Sequence, residues 1–230
     1  MKSAMVFIDG MNLLHDWRRV PTVLKQSFDV EAYIRLLQSK FPNLEIKRTY
    51  YFATATENNA TILKGINNIP YCEVKTGRLQ TKTIYLEREL PNCRGCEKFQ
   101  KTIYIKADKG TDVNIAVEML KHAYNNGYDV AILVSCDADF ASVVRMVKDM
   151  GKIVELVLFD VTKSTAKELS ENVDNIVTIS NEECVKCVRS EPGDGTSDAD
   201  SGEVYDVVVD AESVDFFDAE SSGSFDEEVD

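Results

Sequence analysis

Five polar residues, far apart in the chain, carry its strongest chemical signal. Asp9 and Asn12 stand in Phe7-Ile8-Asp9-Gly10-Met11-Asn12, Asp112 in Lys109-Gly110-Thr111-Asp112, and Asp137 with Asp139 in Val134-Ser135-Cys136-Asp137-Ala138-Asp139-Phe140. Carboxylates converging within a few ångströms repel one another strongly unless a cation holds them. Oxygen ligands of this kind suit Mg2+ or Mn2+, which retain water and also bind phosphate. Each cluster also has a plainer use. Asp and Asn after a strand form turns and cap helices, and an Asp near a helix start complements the dipole. The chemical reading rests on all three occurring together.

Cysteine supplies a second set of candidates. Cys93-Arg94-Gly95-Cys96 and Cys184-Val185-Lys186-Cys187 both have the spacing of a zinc knuckle, and tetrathiolate sites are built from two such pairs. Cys93, Cys96, Cys184 and Cys187 are therefore candidate ligands of a shared structural Zn2+, with unrelated reduced thiols as the alternative. A redox-active pair fits less well, because neither opens a helix after a strand. His15 and His122 show no ligand spacing and read as surface or helix-packing residues.

These side chains need elements to position them. The runs Ala4 to Ile8, Ile46 to Ala53, Val130 to Val134 and Ile153 to Phe159 are short, apolar and rich in β-branched residues, as strands buried on both faces are. Asn175 to Ile179 reads as a short last strand. Between them, Val113, Ala116, Val117 and Leu120 recur at helical spacing, as do Phe140, Val143, Val144 and Val147, which predicts two helices with those faces toward the core. Strand alternating with helix predicts an α/β fold, a mostly parallel sheet with helices on both faces. Asp9 and Asp137 then follow strands at their carboxyl ends, where open α/β sheets bind ligands, and Asp112 opens a helix at the same edge. The stretch 71–105 breaks the rhythm. It reads as an insertion or hairpin interrupted by the turn-rich Pro91 to Cys96.

In order and spacing, Phe7-Ile8-Asp9-Gly10-x-Asn12, Lys109-Gly110-x-Asp112-Val113, Ser135-x-Asp137-x-Asp139-Phe140 and Gly151-Lys152-x-Val154 resemble the NYN domains, in particular the LabA-like branch of the PIN-like nucleases. The resemblance covers roughly residues 4 to 180 and implies a PIN-like fold with Mg2+- or Mn2+-dependent cleavage of RNA. Carried over residue by residue, it makes Asp9, Asp112 and Asp137 the metal ligands, Asp139 a supporting carboxylate and Asn12 an orienting residue. Ser135 would hydrogen-bond a ligand or a phosphate. Related sequences also carry a cysteine knuckle in the insertion, which favours Cys93 and Cys96 over the second pair. One departure is Cys136, where many relatives have glycine; a need for positive φ there would strain or shift the loop.

Composition bounds the remaining choices. The formal charge of −13 is concentrated at the end of the chain: residues 188–230 hold fifteen acidic residues and one basic residue, leaving 24 acidic and 25 basic before them. A nuclease domain over 1–187, with its insertion, is thus nearly neutral. Residues 188–230 read as an acidic disordered tail whose apolar islands could dock a protein partner. No apolar run approaches the roughly 20 residues needed to cross a bilayer, and the early carboxylate leaves no room for a signal-peptide core, so a cytoplasmic protein with no membrane partner is expected. The expected substrate is single-stranded or locally unpaired RNA, held by Lys106 and Lys109 and by Lys75, Arg78 and Lys82, with Tyr71 and Tyr85 available to stack on bases. A non-catalytic RNA- or protein-binding module on the same fold is the alternative. Oligomeric state is not legible.

Overall fold

The computed structural model describes residues 1–89 and 98–189, apart from 57 and 165. The expected tail from residue 190 onward and the expected knuckle at Cys93 and Cys96 lie outside the described residues. The chain divides into two units, one of residues 1–80 and 108–205, the other of 81–107 and 206–230.

The first unit is built on strands β1 (Lys2–Asp9), β2 (Leu44–Thr54), the start of β3 (Cys72–Glu89), β5 (Val130–Val134), β6 (Ile153–Phe159) and β7 (Asn175–Ile179); β4 is Lys98–Lys109. In the first unit the strand order is β3-β2-β1-β5-β6-β7, and every neighbouring pair is parallel. In the second unit the outer half of β3 lies beside β4. The stretch expected as an insertion therefore begins as a strand of the main sheet, with Thr49 to Thr54 paired to Cys72 to Gly77.

Parallel strands need crossovers, and the helices supply them: α1 (Gly10–Trp17), α2 (Val30–Lys40), α3 (Ala60–Asn67), α4 (Thr111–Tyr124), α5 (Ala141–Asp149), α6 (Lys167–Ser170) and α7 (Asn181–Cys184). Successive strand residues point to opposite faces, so two cores form. Val6, Ile8, Tyr51, Ile132 and Val134 pack with α1, α2 and α3 on one face. Phe7, Tyr50, Phe52, Leu133 and Leu156 pack with α4 and α5 on the other. Each of these fully buried side chains stabilises the fold by roughly 1.5–3 kcal/mol.

The last described residues are tied to the body. Asp29 N–H donates to the Cys187 carbonyl at 2.8 Å and Arg189 N–H to the Ser27 carbonyl at 2.9 Å, while Phe28 bridges Val188. Cys184 and Cys187 are consequently buried in the first core. Burial pushes the Cys184 thiol up to about 12 and that of Cys187 up to about 11.

One expected face is wrong. Helix α4 buries Thr111, Ile115, Met119 and Ala123, whereas Val113 and Val117 are 64% and 53% exposed. The rotation is set by polar anchors. His122 Nε2 lies 2.8 Å from Tyr50 Oη on β2 and 3.1 Å from Glu118, and the His122 ring stacks on Tyr50. Glu118 also meets Lys75 of β3 at 3.7 Å. A helix apolar around most of its circumference takes the rotation that satisfies these groups. Met119→Ala should therefore lower stability by about 2–5 kcal/mol, and Val117→Ala should change it by no more than about 0.5 kcal/mol, as read from urea unfolding midpoints; equal losses would restore the expected face.

Candidate active site

The strand order reverses direction between β1 and β5, since β2 follows β1 on one side and β6 follows β5 on the other. Crevices open outside the carboxyl ends of strands at such a switch point, and the predicted acidic residues meet here.

Asp9 ends β1 and is only 4% exposed. It caps α1: its Oδ1 accepts from the Asn12 N–H at 3.0 Å. The sharp entry into that helix requires glycine next, because a Cβ on Gly10 would lie 2.6 Å from the Phe52 carbonyl oxygen and 2.6 Å from the Tyr51 ring. The second oxygen, Oδ2, accepts from the Ser135 hydroxyl at 3.2 Å. Ser135 in turn accepts the Asp137 N–H at 3.2 Å, so one buried hydroxyl joins the ends of β1 and β5. Asn12 makes a second tie, its Oδ1 accepting the Cys136 N–H at 2.9 Å. Asp137 caps the following turn through the Asp139 N–H at 2.9 Å.

Capping and chemistry are thus not alternatives at Asp9 and Asp137, where one carboxylate does both. Burial pushes the Asp9 carboxyl up to about 7, and the charges of Asp112 and Asp137 add to the rise against the lowering effect of its hydrogen bonds to Asn12 and Ser135. Asp9, Asp112 and Asp137 are therefore close enough to act on one another. Asp112 and Asp139 are exposed in the first turns of their helices. Among the described residues, no three acidic, His or Cys side chains stand close enough to hold a metal ion as they are. The donor set nevertheless fits one chemistry: carboxylate oxygens without imidazole or thiolate suit a hard divalent cation, which would relieve the repulsion felt at Asp9.

Other expected residues are placed differently. Ser135 is 3% exposed and braces the carboxylates. Cys136 does not take a positive φ, so this position does not require glycine. Lys109 and Arg78 are exposed near the carboxyl edge. Lys75 is paired with Glu73 at 2.6 Å beneath α4, and Tyr71, 79% exposed, precedes β3 at the opposite, amino edge. The side chains of Lys82, Tyr85 and Lys106 lie outside the described residues.

Asp16 is a site residue that the sequence reading missed. It is 4% exposed and accepts a weak bond from the Cys136 thiol at 3.8 Å. With Asn12, Tyr33, Ser135 and Phe159 it lines a small cleft at the switch point. The available signal was spacing, since Asp9, Asn12 and Asp16 fall at i, i+3 and i+7 on one side of α1.

The sequence profile described as the NYN domain matches residues 3–180. Among solved structures, the fold is similar to a crystal structure of a protein of unknown function from Vibrio parahaemolyticus RIMD 2210633. That likeness has a TM-score of 0.51 and 19% identity, and covers 77% of this chain and 93% of that one. No curated protein matches the sequence.

The raised Asp9 carboxyl has a consequence for stability. In metal-free protein the unfolded carboxyl ionises near 3.8 while the folded one stays protonated to about 7, so this group lowers stability as pH rises between those values. Asp9→Asn should accordingly raise stability at pH 8, by on the order of 2–4 kcal/mol, and the gain should vanish toward pH 4. Denaturant melts with a chelator, taken across that range, test this; a gain independent of pH would show that Asp9 is not held neutral.

Proposed function

The chain belongs to the NYN domain family, a family of PIN-like nucleases, and from that premise we propose that it is a metal-dependent ribonuclease. The observation that carries the reading is the junction of β1 and β5, where the carboxylate of Asp9 is buried beside Asp112 and Asp137. Asp9, Asp112 and Asp137 would hold Mg2+ or Mn2+. When bound there, the cation supplies a water of lowered pKa and offsets negative charge on a phosphodiester.

The chain's own residues do the rest. Asn12 and Ser135 fix both oxygens of Asp9, and the Ser135 hydroxyl also fixes the backbone of Asp137. The carboxylates are thereby oriented before substrate arrives, which reduces reorganisation during the reaction. Asp139 stands beside them as an exposed carboxylate able to accept a proton from water. Lys109 and Arg78, exposed near the same edge, give the RNA backbone its cationic contacts. Single-stranded or locally unpaired RNA is the proposed substrate class, because the described basic residues are few and scattered rather than laid out along a duplex.

The deciding measurement is incubation of the full chain with a pool of RNAs and Mn2+, against Asp112→Asn and Asp137→Asn. Both variants should lose at least about a hundredfold in cleavage rate, and Ser135→Ala about ten- to a hundredfold, as partners that orient metal ligands typically do. Cleavage that survives in both Asn variants removes the assignment. RNA binding with no cleavage by the wild type would establish instead a non-catalytic RNA-binding module.

A further inference from the structure

Two buried hydroxyls at the catalytic edge have no partner. Among the described residues, Thr54 Oγ1 and Thr111 Oγ1 are buried without a hydrogen bond, and the two residues are 1% and 2% exposed. Leaving a buried hydroxyl unsatisfied is unfavourable, so such groups call for an explanation.

Their positions converge. Thr54 ends β2 and, by strand alternation, shares the face of Tyr50 and Phe52, the face on which α4 packs. Thr111 is the first residue of α4 and opens its buried stripe of Thr111, Ile115, Met119 and Ala123. Both hydroxyls therefore come to the carboxyl edge of the layer between β2 and α4. That is also the side of the sheet on which Asp9 and Ser135 fall, since they continue the alternation of Phe7 and Leu133.

The helix start at this point is open. No side chain caps α4, whose N-cap residue is Gly110 at φ 92°, and a side chain built on Gly110 would meet nothing within 4 Å. Uncapped N–H groups and the positive end of the helix dipole favour an anion. Thr111 can turn its hydroxyl toward the opening by rotation about χ1, since threonine in a helix divides between two rotamers. The exposed Lys109 immediately precedes the turn.

We propose that the start of α4, with the hydroxyls of Thr111 and Thr54, is a phosphate subsite that receives a backbone phosphate of the substrate. The assignment rests on the ribonuclease reading for its substrate but not for its chemistry. Asp112 lies one residue further along, so an anion is held here only alongside the divalent cation proposed for the carboxylates.

The test uses the full chain in Mg2+ buffer and compares wild type with Thr111→Val, Thr54→Val and Thr111→Ser. Without ligand, the near-isosteric valine variants should melt at or above the wild-type temperature, because each removes an unsatisfied hydroxyl. Inorganic phosphate should raise the melting temperature of wild type and Thr111→Ser, and this rise should be lost in both valine variants. In RNA cleavage the valine variants should raise KM by roughly three- to tenfold, with a smaller change in kcat. A phosphate response equal in wild type and both valine variants, including no response in any, overturns the subsite whether or not RNA is cleaved. A response confined to wild type and Thr111→Ser, in a protein that does not cleave RNA, upholds the subsite and removes the ribonuclease reading.

Discussion

The arrangement depends on one unfavourable act, the burial of a carboxylate at the end of the central strand. Asp9 sits on β1, paired on both sides, where solvent reaches only 4% of the residue. The hydrogen bonds from the Asn12 N–H and the Ser135 hydroxyl offset part of the desolvation but not all of it, and the carboxyl remains raised. Much of the local sequence follows from making that burial tolerable. Gly10 lets α1 start against Tyr51 and Phe52. Asn12 binds the β1 turn to the β5 turn, and Ser135 brings Asp137 into register with Asp9.

The same constraint explains why the site lies between β1 and β5. A parallel sheet places every strand's carboxyl end on one edge, but only at the reversal of strand order do two loops diverge and leave a crevice between them. The loops after β1 and β5 leave that junction in α1 and in the turn before α5. Their side chains are held by one another rather than by solvent. Perturbed carboxylates clustered at such a place are what a functional site requires, and they are out of proportion to what helix capping alone needs.

How much of this could be read from the chain depends on whether the cause was local. The bounds of β5, β6 and β7 follow from continuous runs such as Val130 to Val134, because a strand covered on both faces has no polar face to interrupt the pattern. The rotation of α4 could not be read in this way. Its apolar residues at 113, 116, 117 and 120 form as regular a stripe as those at 115, 119 and 123, and the choice between them was made by Tyr50 and Lys75 from elsewhere in the chain. The acidic motif residues were legible as a set, since capping and ligand roles both favour Asp after a strand. Asp16 was not, because among His15, Arg18 and Arg19 it has the look of a solvent-facing acid and only the contact with Cys136 reveals its burial. Ser135 was found, but its role as a brace depends on the β1–β5 pairing, which spacing does not disclose.

On the ribonuclease reading, electrostatics poses a final problem: a polyanion must approach a pocket whose own groups are anionic. The residues before 188 are nearly balanced in charge, so no long-range field of the body draws RNA in. Attraction has to be local and short in range, set by a cation among the carboxylates, by the uncapped start of α4, and by Lys109 and Arg78 near the same edge. Exposed charges act over about 8 Å at physiological salt, which confines their pull to the few nucleotides at the junction. A site built this way selects substrates by what reaches the β1–β5 crevice, and an unpaired strand does so more readily than a stiff duplex.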